Sequence, residues 1–282
     1  MKKTRTKLIA VLLSFCLLLS MIALLLFCLT LYGCSKNLRN YFYTEESLKR
    51  VAAKALKEKY DEEFEIYYAW PRAQTIFYVT CSPKSDMDIV FEAEVYKDGS
   101  GVRKDEYLQG VVSKQLSERI QAKLQGVFGD DCYVKAHFYA DPPTIDELME
   151  TYEGEAPSYD YFKKLTVEEY YQLIEKPYLA IWIFVNKENL DGSEEQIEEE
   201  YECLSKLFDN EPMKEAGVSC YFVDENTLNE CQEYLKKDNK TRGDFEYMVE
   251  DVIEFGFGFD YGDIRESFEE YNEIRKEVKT NE

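Results

Sequence analysis

Residues 178–185 read Tyr-Leu-Ala-Ile-Trp-Ile-Phe-Val. All eight are apolar or aromatic, and the run is too short for a fully buried helix. An alternation of apolar and polar residues marks a strand with one wet face; a continuous run marks a strand covered on both. This stretch therefore predicts a central strand, which needs strands beside it and helices above and below.

Both flanks supply them. Downstream, Ser193 and Gln196 have the spacing of a helix N-terminal capping pair, followed by the stripe Ile197, Tyr201, Leu204 and Phe208. Val218–Val223 reads as the next strand, and Thr227 with Glu230 as the cap of the helix after it. Upstream, Cys132–Tyr139 alternates: Cys132, Val134, Ala136 and Phe138 share one face, and Tyr133, Lys135, His137 and Tyr139 the other. Pro142-Pro143 stops it, and Thr144 with Glu147 and Thr166 with Glu169 predict two short capped helices.

Further out, Lys104–Phe128 carries the helical stripe Leu108, Val111, Val112, Leu116, Ile120, Leu124 and Val127, with Gly129 placed to end it. Before it, Asp88–Lys97 alternates as a half-buried strand and Lys97–Gly101 turns the chain. Two aromatic-rich runs, Phe64–Trp70 and Thr75–Cys81, flank Pro71. Leu48, Val51, Ala52, Ala55 and Leu56 stripe a helix that begins after Thr44. At the C-terminal end, helices are expected around Asp244–Ile253 and Ile264–Ile274, separated by Phe255-Gly-Phe-Gly-Phe259.

The pattern predicts an α+β or α/β fold, a mixed sheet with packed helices. Strand, loop, long helix, strand and short helix recur at about 89–152 and 178–236, and both second strands begin Cys-Tyr (132–133 and 220–221). Two βαβα units are one reading of this recurrence, and two unrelated units the other. The expected division is 41–152 for the first unit, 153–236 for the second and 237–282 for a helical C-terminal region.

The N-terminus has a different chemistry. Residues 1–7 hold Lys2, Lys3, Arg5 and Lys7 and no acid; from Leu8 to Ser35 there is no charge. A bilayer core of about 30 Å needs roughly 20 apolar helical residues, and the run 8–33 has 26. It is expected to be a transmembrane helix or signal-anchor. The basic cluster would stay cytoplasmic and the rest of the chain would lie outside, tethered to membrane lipid. A cleaved signal has a shorter apolar region. Leu31-Tyr32-Gly33-Cys34 offers an alternative tether, because a thiol after a small residue fits a bacterial acylation site. Tyr32 departs from that pattern, which prefers small residues there.

The chain has 34 basic and 56 acidic residues. The first 34 residues hold four of the basic ones and no acid, which leaves 30 against 56, a net of −26, for the remainder. That balance argues against nucleic acid, whose phosphates need clustered Lys and Arg. The 23 Tyr and 17 Phe argue against a disordered acidic tail. Five cysteines, Cys81, Cys132, Cys203, Cys220 and Cys231, fall in the main domain with no C-x-x-C spacing. Buried free thiols are expected for most of them, with one or two disulfides as the alternative.

Residues Ala53-Lys-Ala-Leu-Lys-Glu-Lys-Tyr-Asp-Glu-Glu-Phe-Glu-Ile66, with the segment Phe91–Ile120, resemble uncharacterised exported proteins and lipoproteins of Gram-positive bacteria. These share a helix that ends Lys-Tyr-x-x-Glu-Phe before a sheet, and the resemblance covers roughly residues 1–140. It implies an exported, membrane-anchored protein and no assigned activity, so no functional residue is carried over.

No catalytic, cofactor or metal site is assigned from the residues. His137 is the chain's one histidine, and no nucleophile is identifiable beside it. In Lys187–Glu198 several positions match a calcium loop, but Lys187 stands where a carboxylate ligand belongs. Gly99-Ser100-Gly101 lacks the remaining signature of a phosphate-binding loop and reads as a turn. Arg242-Gly243-Asp244 and the sequon at 239–241 are short enough to occur by chance. Sequence-adjacent carboxylates (Asp86 and Asp88, Asp130 and Asp131, Asp260 and Asp263) have the groups for glycosidic cleavage, but spacing alone cannot choose a pair. Among the aromatics, Tyr67, Tyr68 and Trp70 can stack on sugars, whereas Trp182 belongs to the central apolar run. The expected function is a noncatalytic extracytoplasmic binding or interaction domain. A surface hydrolase using paired carboxylates, and an assembly factor for another membrane protein, are the alternatives.

Overall fold

The computed structural model describes residues 44–138, 144–151, 158–174, 179–190, 192–209, 211, 215–236, 252–260, 263–264 and 266–280. The basic segment 1–7, the apolar run 8–33 and Cys34 lie outside them, as do Arg242–Asp244 and nearly all of the helix expected at Asp244–Ile253. Among the described residues no helix is long and apolar enough to cross a membrane. The described residues form a mixed α+β arrangement of two sheets and eight α-helices.

Helix α1 (Glu45–Tyr60) starts where Thr44 Oγ1 accepts the Ser47 N–H at 3.2 Å. Glu45 and Glu46 at its first turn and Lys57 and Lys59 at its last complement the helix dipole. Its buried stripe is Leu48, Ala52, Leu56 and Tyr60. An antiparallel meander follows: β1 (Phe64–Pro71), β2 (Ile76–Pro83), β3 (Phe91–Tyr96) and β4 (Val102–Asp105), in that spatial order. On β3, Phe91, Ala93 and Val95 point into the core, as the alternation predicts.

Strand β4 replaces the expected start of the long helix. Lys104 pairs with Glu94 and Asp105 with Ala93. The Asp105 carboxylate is buried, accepting from Lys59 Nζ at 2.7 Å and from the Tyr60 hydroxyl at 2.6 Å. This tertiary anchor holds the chain extended through Asp105, so helix α2 runs Tyr107–Phe128. It ends at Gly129, whose φ of 77° lies in the region that favours glycine.

Sheet two has the order β5 (Cys132–Phe138), β6 (Leu179–Asn186), β7 (Ala216–Val223), β8 (Ile253–Asp260) and β9 (Asp263–Ile264). Three short helices, α3 (Ile145–Thr151), α4 (Tyr159–Phe162) and α5 (Val167–Leu173), lie between β5 and β6. Both expected capping pairs form at α3 and α5. Strand β6 runs antiparallel to β5 and parallel to β7, and is covered on both faces. The parallel pair is joined through α6 (Glu194–Ser205), capped by Ser193.

Several expectations are corrected. Helix α7 (Glu225–Leu235) is capped by Asp224, not Thr227: Asp224 Oδ1 accepts the Thr227 N–H at 2.8 Å. The Phe-Gly alternation at 255–259 is strand β8, not a loop between helices; Phe255 and Phe257 face the core. Helix α8 occupies Phe268–Thr280 rather than 264–274, because Ser267 and Glu270 form its capping pair and Ile264 belongs to β9. The recurrence of β-α-β does not produce two like units. β3 lies in sheet one and β5 in sheet two, so only β6-α6-β7 is a crossover within one sheet. Strand β5, before residue 152, pairs with β6, after it.

Helix α2 joins the sheets. On one side Gly110 lies so close to β3 that a Cβ there would meet Phe91 Cβ and the Val90 carbonyl at 3.0 Å. On the other it closes the open edge of β5. Ser117 Oγ accepts the Ala136 N–H at 2.9 Å, Gln121 Oε1 accepts the Val134 N–H at 3.4 Å, and Gln109 Nε2 donates to the Phe138 carbonyl. Helices α6 and α8 are locked by a second buried polar cluster. Arg275 Nε and the Tyr271 hydroxyl each donate to Glu200 Oε2 at 2.6 Å, with Glu200 0% and Arg275 1% exposed.

Two stability measurements check these roles. Ser117→Ala strands a buried N–H and is expected to lower stability by about 1–3 kcal/mol, seen as a lower urea midpoint with an unchanged slope. Glu200→Ala leaves the Arg275 charge uncompensated and is expected to cost about 3–5 kcal/mol. Adding Arg275→Leu should recover a large part of that loss.

Candidate functional site

The alternation of β5 places Tyr133, Lys135 and His137 on the face away from the main core, as the sequence implies, but that face is not open to water. Lys135 and His137 are each 8% exposed. The covering group is a smaller apolar cluster in which Trp182, Phe184 and Tyr221 of sheet two meet Leu228, Cys231 and Leu235 of α7. His137 packs beside Trp182, with ring centroids 6.3 Å apart and planes at 23°, and serves the packing of this layer.

Lys135 lies at the margin of the same layer, in register with Trp182 on β6. It lines a cleft of about 400 Å³. One wall is α2, through Lys114, Ser117, Glu118 and Gln121; another is α7, through Gln232 and Lys236. Asp88, just before β3, and Asp130, just before β5, complete it, and Cys132, Tyr133 and Val134 extend the β5 wall. Ser117 and Gln121 are also the residues that close the β5 edge, so the seam between the sheets forms part of the site.

The two inner lysines differ. Lys114 is neutralised by Asp86 at 2.8 Å and Glu118 at 3.1 Å, and those hydrogen bonds raise its pKa. Lys135 has no hydrogen bond or ion pair among the described residues. Burial pushes its ammonium down to about 8, with the Asp88 charge pulling weakly the other way. Desolvation disfavours the charged form of an amine, and such a group in a cleft is a functional-site signal.

The other sequence candidates fall elsewhere. Of the paired carboxylates, Asp86 is engaged by Lys114, and Asp131 accepts from Asn189. Asp88 and Asp130, one from each of those pairs, reach the Lys135 cleft together. Asp260 and Asp263 oppose one another in the β8–β9 register. Lys187–Asn189 forms a 3-10 turn, Gly192 takes φ 67°, and Ser193 caps α6, so the calcium-like segment is a loop into a helix. Among the described residues no group of three or more His, Cys, Asp or Glu is placed to hold a metal ion. Gly99–Gly101 turns β3 into β4, with Ser100 N donating to Asp98 Oδ1 at 3.0 Å. Trp182 is core, whereas Tyr68 is exposed on sheet one and Trp70 packs on Tyr78. The five described cysteines are free thiols. Burial pushes Cys132 up to about 12 and Cys231 to about 11, which suppresses the reactive thiolate.

No family model matches the chain, and no curated protein matches it. Among solved structures, it is similar to the crystal structure of a DUF5037 family protein from Ruminococcus gnavus at 2.55 Å resolution. The TM-score is 0.60 and the identity 18%, covering 83% of this chain and 99% of that one. At that identity the likeness is one of fold.

With its pKa near 8, about a tenth of Lys135 is free amine at pH 7, against roughly one part in three thousand for an ordinary lysine. Lys135 is therefore expected to react first, among the lysines of this cleft, with a small amine-acylating reagent. Its rate should rise with pH to a midpoint near 8 in peptide mass mapping. In the unfolded chain Lys135 keeps its proton to the ordinary lysine range, whereas the folded chain releases it above about 8. Between those values the unfolded state binds more protons, so this group's contribution to stability improves as pH rises. Lys135→Met is accordingly expected to be more stable than the parent at pH 7 by on the order of 3 kcal/mol. The difference should shrink from pH 8 to pH 10 in urea unfolding.

Proposed function

We propose that this chain is a membrane-tethered extracytoplasmic binding domain, noncatalytic, whose ligand occupies the cleft around Lys135. The observation that carries this reading is a lysine 8% exposed and without a partner among the described residues, lining a cleft of about 400 Å³. Burying a charge without a partner is costly; a ligand that supplies the partner offsets that cost. Cleft size supports a small molecule, since binding pockets commonly span about 300–1,000 Å³. The tether is the uncharged run 8–33 behind Lys2, Lys3, Arg5 and Lys7, with acylation at Cys34 as the alternative attachment. Both would hold the acidic domain at the outer membrane surface by lipid contact.

Protection of Lys135 from acylation tests the site. A low-molecular-weight extract of the host cells and their medium is expected to slow acylation of Lys135 and not that of Lys114. If no fraction protects Lys135, the binding reading fails. The full chain should also remain with membranes through an alkaline carbonate wash; release by that wash would remove the tether. A hydrolase is the second reading, because Asp88 and Asp130 share the cleft. Glycoside turnover lost in both Asp88→Asn and Asp130→Asn would replace binding with catalysis.

A further inference from the structure

We propose that the Lys135 cleft recognises a small zwitterion of the α-amino acid class, with its carboxylate on Lys135 and its ammonium toward Asp88 and Asp130. This rests on the binding reading above and names the ligand's chemistry.

The first requirement is an anionic group. Lys135 is buried and makes no hydrogen bond or ion pair among the described residues, and a neutral ligand would leave its ammonium uncompensated. Lys114 does not compete for that group, since Asp86 and Glu118 already neutralise it.

The second requirement limits the ligand's net charge. The same cleft carries Asp88, Glu118 and Asp130 beside Lys114, Lys135 and the exposed Lys236, in a chain of net charge −22. A dianionic phosphate would meet, besides these lysines, three carboxylates whose like charge repels it. A ligand with one negative and one positive end avoids that repulsion and uses both signs of the wall. Asp88 and Asp130 are exposed at the rim, and their side chains have no ion pair among the described residues, so both remain available to an ammonium. Gln121 and Gln232 add polar groups to the lining. A volume of about 400 Å³ holds a single amino acid with room for its side chain.

The test uses the full chain in detergent micelles with L-alanine, L-leucine, propionate and ethylamine, followed by calorimetry and by protection of Lys135 from acylation. Propionate lacks the ammonium and ethylamine lacks the carboxylate. The amino acids are expected to bind about tenfold or more tighter than propionate, and ethylamine not to compete. Lys135→Met should abolish binding while keeping a cooperative melt, and Lys135→Arg should retain part of it. The double variant Asp88→Asn, Asp130→Asn should bring L-alanine down to the level of propionate. Propionate binding as well as L-alanine, competition by ethylamine, or no protection by either amino acid would overturn the proposal. In the last case, continued protection by the cell extract leaves the binding reading standing, whereas loss of both sinks both.

Discussion

The hydrogen bonds between helix α2 and the open edge of β5 hold this structure together. An edge strand exposes a row of unpaired N–H and C=O groups, which invite pairing with another chain. Here Gln109, Ser117 and Gln121 satisfy the groups of Phe138, Ala136 and Val134. The requirement explains why α2 buries Gln109 and Ser117 beside Leu116 and Ile120. Its opposite side packs on β3 with a glycine at the contact, so one helix serves both sheets. A continuous apolar core running from Leu48 to Val278 follows from that placement.

Buried charge is treated in two ways in this molecule. Asp105 meets Lys59 and Tyr60, and Glu200 meets Arg275 and Tyr271; each carboxylate receives two or more donors. Such pairs offset desolvation by Coulomb attraction and hydrogen bonding, and breaking one is far more costly than never having built it. Lys135, 8% exposed, has no such partner among the described residues. Local departures from otherwise consistent construction are where function is expected. The departure here adjoins a cleft and touches the seam that joins the sheets, so the cleft wall and the inter-sheet packing share Ser117 and Gln121.

Much of the fold was legible in the residues. Periodicity alone locates α1, β3, β5, β6 and β7, because each has a pattern of 3.6, of two, or of uninterrupted apolar residues. The capping pairs at Thr144 and Thr166 form as their spacing implies. The C-terminal region was less legible. Phe-Gly-Phe-Gly-Phe alternates with period two, but glycine weakens strand propensity and masks the signal. Ser267 with Glu270 is a capping pair that locates α8 in retrospect.

The site was half legible. Sequence alternation assigned Lys135 to the Tyr133 and His137 face of β5, and a lysine on the polar face of a strand reads as solvated. Only the seating of α7 over that face, with Leu228 and Leu235 against Trp182 and Phe184, takes Lys135 out of water. Asp88 and Asp130 likewise meet at one cleft only because α2 brings sheet one beside β5. The sequence by itself determined the strongly periodic elements, the acidic charge and the uncharged N-terminal run, since these depend on neighbours in the chain. Partition into two sheets, the closed β5 edge and the buried lysine were decided by tertiary structure. Desolvation and edge pairing depend on what packs across from a residue, and local periodicity carries no record of that.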